Sequence, residues 1–451
     1  MMKKSSSNSS SSNSSSSNSS SSNFSSSNFV SRKSEPSVSV RFISSLLVLC
    51  LMVPAFFASC QMGRNQAVAQ VEQGDTIPMK YSQLLTLVKH GEDYTEAIIE
   101  NPWKKGSDLH RYLLVPKGKQ GDETVASLKQ LHPKGDIVRT PVESSVVFMG
   151  AHCQLMNELG CGSAIRGVCD KPYINVKLPK NVVDCGSSMQ PDIEKIIALH
   201  PEALLVSPFE NSGGYGKLDK LHIPIIEAAD YMETSPLGRA EWMKFYGMLF
   251  GENGAADKAS MKIHAESAED RADSLFARIE KEYLWLKAQA KTLPKGLSIL
   301  TERKTGNVWY VPGGQSTIGV LLKDANAKYI FEDDKHSGSL PMSPEQILAK
   351  GKKVDVWAFK YFDSKPLTRP QLLQEYKGYE ALLAFNTKDI YECNTSNQPY
   401  FELTSFHPEI LLREFIILAH HDDFFGKLRF YKPMDAPDNL PVWGKTEECK
   451  E

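Results

Sequence analysis

The sequence predicts an α/β protein of two lobes, each built on a mainly parallel sheet, joined by one long bridging helix. Three observations carry this. Short apolar runs that suit buried strands alternate with helical segments along most of the chain. The stretch from Ala255 to Leu293 holds neither Pro nor Gly and bears an apolar stripe at helical spacing. The segments that follow it loosely echo those before it.

The alternation starts only after a long non-globular beginning. Ser and Asn recur in a five-residue period marked by Asn8, Asn13, Asn18, Asn23 and Asn28. Such a tract has almost nothing to bury and cannot offset the entropy of ordering. Arg32, Lys33 and Arg41 then precede an apolar run from Phe42 to Ala58, the layout of a secretory signal. Phe57-Ala58-Ser59-Cys60 resembles the bacterial lipobox, which implies lipidation at Cys60, membrane attachment and a periplasmic location. On this reading residues 1–59 are removed and 60–76 form the tether. The N-terminal lobe spans 77–250, the bridging helix 251–294, the C-terminal lobe 295–435 and a tail 436–451.

Within the first lobe, Glu96–Glu100 and Tyr112–Pro116 read as β-rich runs. Ser145–Met149 reads as a strand, Gly150–Cys153 as a loop, and Gln154–Leu159 as a helix stopped by Gly160. Strands follow at Ile165–Val168, Ala203–Val206 and Ile223–Ile226, then a helix from Pro236 to Phe250. The long helix comes next, reaching roughly 55 Å at 1.5 Å per residue, until Pro294 and Gly296 end it. The second lobe repeats the scheme with strand Val308–Val311, a Gly-containing turn, helix Thr317–Leu322 and strand Tyr329–Phe331. In each lobe a Pro with Glu close behind opens a helix that leads to a strand: Pro191 to Leu199 before Ala203–Val206, and Pro344 to Leu348 before Val354–Phe359.

A net charge of −2 gives no basic surplus for nucleic acid. Phosphate-loop and dinucleotide fingerprints are absent, as is any Cys-x-x-Cys zinc pair, so no cofactor or bound metal is expected. If the chain is exported, a disulfide between Cys169 and Cys185 would close a short loop; buried unpaired thiols are the alternative. No nucleophile, base and orienting residue stand at a catalytic spacing, so no catalytic residue is assigned.

The two Pro/Glu helices, with Asn157-Glu158-Leu159-Gly160 before Ile165-Arg166-Gly167-Val168, resemble the helix-bridged class of periplasmic binding proteins that serve cobalamin, ferric-siderophore and haem importers. The segment Asp230 to Trp242 looks like a subfamily signature whose chemistry the residue types alone do not explain. The resemblance implies a monomeric carrier that passes a small metal chelate to an ABC permease dimer in the inner membrane. It also implies that Glu194 and Glu345, one on the crown of each lobe, dock with the permease. A chelatase-like enzyme, or a capture lipoprotein without a permease, are the rival functions.

A ligand held between the lobes meets the loops at the strand ends. On the first lobe those loops carry His152, Asp170, Tyr173 and Tyr215; on the second they carry Arg303, Trp309, Tyr310, Lys360 and Tyr361. Aromatics there suit a corrin, porphyrin or catechol, with Tyr173 and Trp309 the first candidates. Arg303 and Lys360 would meet its negative charge, and His152 would offer an imidazole to its metal.

Overall fold

The computed structural model describes residues 74–132, 135–210, 214–251, 266–434 and 436. The Ser/Asn tract, the signal-like run, Cys60, most of the tether, residues 255–265 of the expected long helix and nearly all of the tail lie outside the described residues.

The chain opens with a sheet of its own rather than with part of a parallel lobe. Strands β1 (Asp75–Ile77), β2 (Leu85–His90), β3 (Tyr94–Glu100), β4 (Asp108–Pro116) and β5 (Asp136–Thr140) lie side by side in that order. The first four pair antiparallel because their connections are short; Asn101 Oδ1, for example, accepts the amides of Trp103 and Lys104 in the turn after β3. Only helix α1 (Lys119–Leu131) gives a crossover long enough to lay β5 parallel to β4.

The parallel sheet of the first lobe follows. Its strands are β6 (Ser145–Val147), β7 (Ile165–Val168), β8 (Val183–Asp184), β11 (Ala203–Val206) and β12 (Ile225–Glu227), ordered β12-β11-β6-β7-β8 and all parallel. A small ladder, β9 (Gly186–Ser187) with β10 (Gln190–Pro191), projects after β8. All four residues of β11 are buried, as expected for a strand covered on both faces. Helix α2 (Gly150–Glu158) starts four residues earlier than the sequence suggested, so the expected loop is its first turn. Helix α3 (Ile193–Ala198) is capped by the Asp192 side chain, and Pro191 belongs to β10.

The next expected helix is two: α4 (Pro236–Glu241) and α5 (Met243–Phe250), with the chain bending at the fully buried Trp242. Helix α6 (Ala268–Thr292) begins at a capping box made by Ser267 and Asp270 and buries Ala272, Leu275, Ile279, Tyr283, Leu286 and Ala290 along one stripe.

The second lobe comprises β13 (Ile299–Thr301), β14 (Lys304–Thr305), β15 (Val308–Pro312), α7 (Thr317–Asp324), β16 (Ser339–Met342), α8 (Pro344–Gly351), β17 (Val356–Tyr361), α9 (Arg369–Glu375), α10 (Leu383–Thr387), β18 (Ile390–Asn394), α11 (Tyr400–Thr404), α12 (Pro408–His420) and β19 (Lys432–Pro433). Its main sheet runs β13-β17-β18-β19, parallel except for the last strand. The echo of the first lobe is therefore partial. The expected strand at 308–311 sits in a separate antiparallel ribbon, β14-β15-β16. The expected strand at 329–331 reduces to a single bridge between Ser298 and Lys328, because the chain turns at once and Tyr329 hydrogen-bonds the Pro312 carbonyl.

One hydrophobic core runs through both lobes. It includes Leu155 and Met156 of α2, Tyr246 of α5, Ile279 of α6, Trp357 of β17, Phe406, and Leu412 and Phe415 of α12.

Candidate functional site

The carboxyl ends of the parallel strands in both lobes lead into loops that meet along one seam. After β7 the chain reaches Tyr173, 61% exposed; after β17 it reaches Phe362, 54% exposed. Their rings face each other across the lobes at 5.3 Å. Just behind them the Asn175 amide donates to Glu402 Oε1 and its side chain donates to the Thr395 carbonyl, both at 2.8 Å. Gly150 opens α2 against this point, where an added Cβ would lie 3.0 Å from Glu402 Cγ. His407 closes the seam further along, between Glu409 of its own lobe and Glu158 of the other. Burial opposes the charge on His407, but the bonds to Glu158 and Glu409 outweigh it and push the imidazole up to about 10.

Beside the seam, the second lobe holds a cavity of about 320 Å³ lined by Arg303, Tyr310, Ser316, Thr317 and Ser339, with Glu302 at its edge. Tyr310 is half-exposed over it. Ser316 caps α7 here, so the positive end of that helix borders the cavity. The link between cavity and seam is Glu302, whose partner Lys360 stands two residues before Phe362; Tyr173 and Phe362 on the seam and Tyr310 and Arg303 at the cavity are the candidate residues.

Other expected ligand residues lie elsewhere. Trp309 is fully buried against Trp357 and Tyr379 and is a core residue. Tyr361 is buried too, at the last position of β17; its hydroxyl accepts the Leu367 amide, and it lines a cavity of about 680 Å³ with Asn394, Gln398, Arg429 and Tyr431, apart from Tyr173 and Phe362. His152 lies in the first turn of α2 and not in a loop. It is buried, with Nε2 2.9 Å from Asp230 and 3.1 Å from the Tyr246 hydroxyl. Burial works against the charge on Asp230, yet His152 and then Arg239 hold its carboxyl below the usual range. Next to it, burial pushes the Cys153 thiol up to about 12, which removes it as a nucleophile.

Tyr215 sits away from the seam, in a cavity of about 600 Å³ between the N-terminal sheet and β12. Its hydroxyl donates to Glu227, which also meets His110 Nδ1 at 2.9 Å, while His110 Nε2 meets Asp136 at 2.9 Å. Burial disfavours the His110 charge, but the bonds to Asp136 and Glu227 push it up to about 9. Asp170, in the left-handed region at φ 53°, ties its loop down by accepting the Ser188 amide.

The two cations expected to meet a ligand's charge are already engaged. Arg303 pairs with Glu375, and Lys360 pairs with Glu302 under the Tyr400 ring. Burial disfavours the Lys360 charge, but Glu302 holds it above the ordinary lysine range. Cys169 and Cys185 are both buried free thiols, each one residue beyond the Val168–Asp184 pair of neighbouring strands; the expected bridge is not formed. Among the described residues, no group of three or more His, Cys, Asp or Glu is placed to hold a metal ion.

Sequence reasoning placed Phe362 in the ligand-facing loop Lys360-Tyr361-Phe362 without choosing it, and passed over Glu402 and the chemistry of the 230–242 segment. The last is now clear. Glu241 accepts the amides of Lys80, Tyr81 and Ser82, and Glu233 accepts those of Gln83 and Leu84 together with Trp242 Nε1. Gly238 lets this clasp close, since a Cβ there would stand 2.8 Å from the Tyr81 carbonyl oxygen. The segment is a structural clamp on the N-terminal end of the fold. A side chain that bonds a backbone some 160 residues away leaves no local pattern, although three acids among apolar residues was a usable signal.

Glu194 and Glu345 are exposed and occupy the same place in their lobes: the second residue of a helix, after an N-cap of Asp192 and Ser343 respectively. The Glu345 carboxyl is held below its usual range by its own amide and by Ser343.

A family model described as periplasmic binding protein matches residues 146–396. An uncharacterized lipoprotein of Methanocaldococcus jannaschii is 22% identical over 428 residues, covering 87% of this chain and 96% of the relative. A second uncharacterized lipoprotein of the same organism is 25% identical over 416 residues, covering 86% and 98%. Among solved structures, an ABC transporter substrate-binding protein from Listeria monocytogenes aligns with a TM-score of 0.46 and 15% identity, covering 62% of this chain and all of that one.

Proposed function

The chain belongs to the periplasmic binding protein family, and on that premise we propose that it captures a metal chelate between its lobes and delivers it to an ABC permease. The ligand classes in view are haem, cobalamin and ferric siderophores. The observation that carries this is the exposed aromatic pair Tyr173 and Phe362, one from each lobe, beside the cavity under Tyr310. Large aromatic faces left in water across a seam favour a flat or bulky partner that covers both. Because Arg303 and Lys360 already have carboxylate partners, recognition rests on aromatic area more than on net charge.

The docking role of Glu194 and Glu345 belongs to this proposal and is supported by their shared helical position and exposure. Carboxylates presented by both lobes match two basic pockets and set register more than affinity. Lipidation at Cys60 belongs to it as well, in keeping with the relatives named as lipoproteins. The decisive experiment is an absorption and mass spectrum of the chain purified from its native host. A corrin, haem or ferric chromophore whose affinity drops about 10–100-fold in Y173A/F362A is the expected outcome. Saturable binding of a colourless solute that ignores both substitutions would sink the proposal.

A further inference from the structure

A second exposed aromatic cluster lies outside the ligand seam. Leu284 and Trp285 stand on the outer face of α6, 41% and 42% exposed, and Trp285 meets Phe424, 68% exposed, at 6.2 Å between rings. Around them, the exposed face of α6 carries Arg278, Lys281 and Lys291, while Lys287 is paired with Asp324 at 3.0 Å. The two carboxylates of this stretch are already held: Glu280 by Lys80 and Tyr81, and Glu282 by Arg413. Asp423 beside Phe424 is an acid at the rim, and Lys427 is exposed nearby. Trp and Leu at the centre of a basic helix face is the pattern of a side that lies in the headgroup region of an anionic bilayer.

The chain's own layout brings a membrane to this face. Between Cys60 and Gly74 lie 14 residue steps, which span at most about 50 Å when extended. Just beyond Gly74, Lys80 and Tyr81 land on α6 at Glu280, and Trp285 is about 7.5 Å further along the helix axis. A lipid at Cys60 therefore holds a bilayer within reach of the patch. We propose that Leu284, Trp285 and Phe424, with the surrounding lysines and arginine of α6, form a docking surface for an anionic membrane. The reach argument rests on the lipidation reading; the composition of the face does not.

The test uses the full chain with vesicles of phosphatidylglycerol carrying dibrominated acyl chains, and with matching phosphatidylcholine vesicles. Two quantities are read: cosedimentation, and quenching of tryptophan fluorescence by bromine. Trp242, Trp309 and Trp357 are buried, and Trp103 and Trp443 are replaced by Phe in every chain compared, so the loss of signal in W285F isolates the patch. The expected result is quenching in phosphatidylglycerol that W285F abolishes. In the C60S chain, L284N/F424N should weaken partition roughly tenfold. If the wild-type chain cosediments while Trp285 stays unquenched, the anchor stands and the patch proposal falls. If C60S cosediments as well as the wild type and Trp285 is quenched, the patch stands and the anchor falls. A soluble dimer that L284N/F424N dissociates, with Trp285 unquenched, would make the face a self-association surface and overturn the proposal.

Discussion

The two ends of the described chain are fastened in the same way but with different electrostatics. Near the N-terminus, Glu241 of α4 gathers three consecutive amides, those of Lys80, Tyr81 and Ser82, at 2.8–3.0 Å. Near the C-terminus, Glu414 of α12 gathers the amides of Arg429, Phe430 and Tyr431. Both carboxylates are almost completely buried. Glu241 has Lys244 at 3.8 Å. At Glu414 burial dominates and pushes the carboxyl up to about 7 despite the three amides and the charge of Arg429. Three amide donors do not by themselves offset desolvation of a carboxylate.

Breaking the N-terminal clamp should have the largest effect. E241A removes a fully buried acceptor from three part-buried amides and should cost about 3–5 kcal/mol in urea denaturation. A loss under about 1 kcal/mol would mean that water replaces the carboxylate and the clamp is incidental.

At the other end, pH does the breaking. A folded-state value raised from 4.5 to about 7 means Glu414 contributes stability that is fully present below pH 4.5 and lost as pH rises through 7. The chain should therefore lose up to about 3 kcal/mol between pH 4.5 and 7.5 from this group. E414Q should flatten that slope, and an unchanged slope would assign it to another group.

His110 sharpens the contrast, because it adds a second fastening at the N-terminal sheet. Raised from 6.5 to about 9 against Asp136 and Glu227, it gives stability that is complete below pH 6.5 and lost through pH 9. H110Q should remove about 1–3 kcal/mol at pH 6 and little at pH 10. The two fastenings then weaken in different pH windows, which hydrogen exchange of residues 110–112 and 429–431 would resolve separately.

The smallest effect on stability is expected at the crowns. E194K/E345K should shift unfolding by less than about 0.5 kcal/mol, since both side chains are exposed. Ligand uptake should nevertheless fail while ligand binding persists. Uptake that survives the double change would remove the docking assignment.

The alternation of short buried strands and helices was legible, as were the matching places of Glu194 and Glu345 and the long helix, although α6 starts at Ala268 behind its Ser267 cap and not at Ala255. These rest on periodicity and capping, which are local. The N-terminal sheet was only half legible. β3 and β4 are apolar enough to read, but β1 is short and exposed, and α1 is polar on average. The site was read one residue out of phase. In β17 a nearly continuous buried run hides which side chain turns outward, so Tyr361 was chosen where Phe362 is exposed. Trp309 erred the other way, because β15 lies under Trp357 and Tyr379 in a ribbon that no local pattern announces. The clamping roles of Glu241 and Glu414 were unreadable for a third reason: an acid's burial depends on a distant stretch of backbone.

The core that runs unbroken from α2 through α5 and α6 to α12 bears on kinetics. When two lobes are cut from one packed interior, pulling them apart costs much of the folding free energy, so wide opening is not a route for a bound molecule to leave. On the site proposed above, escape then depends on rotamer changes of the rim side chains, Tyr173 and Phe362 first. Residence time becomes a property of a few rings rather than of a hinge. A partner that hastens unloading has only to turn those rings aside.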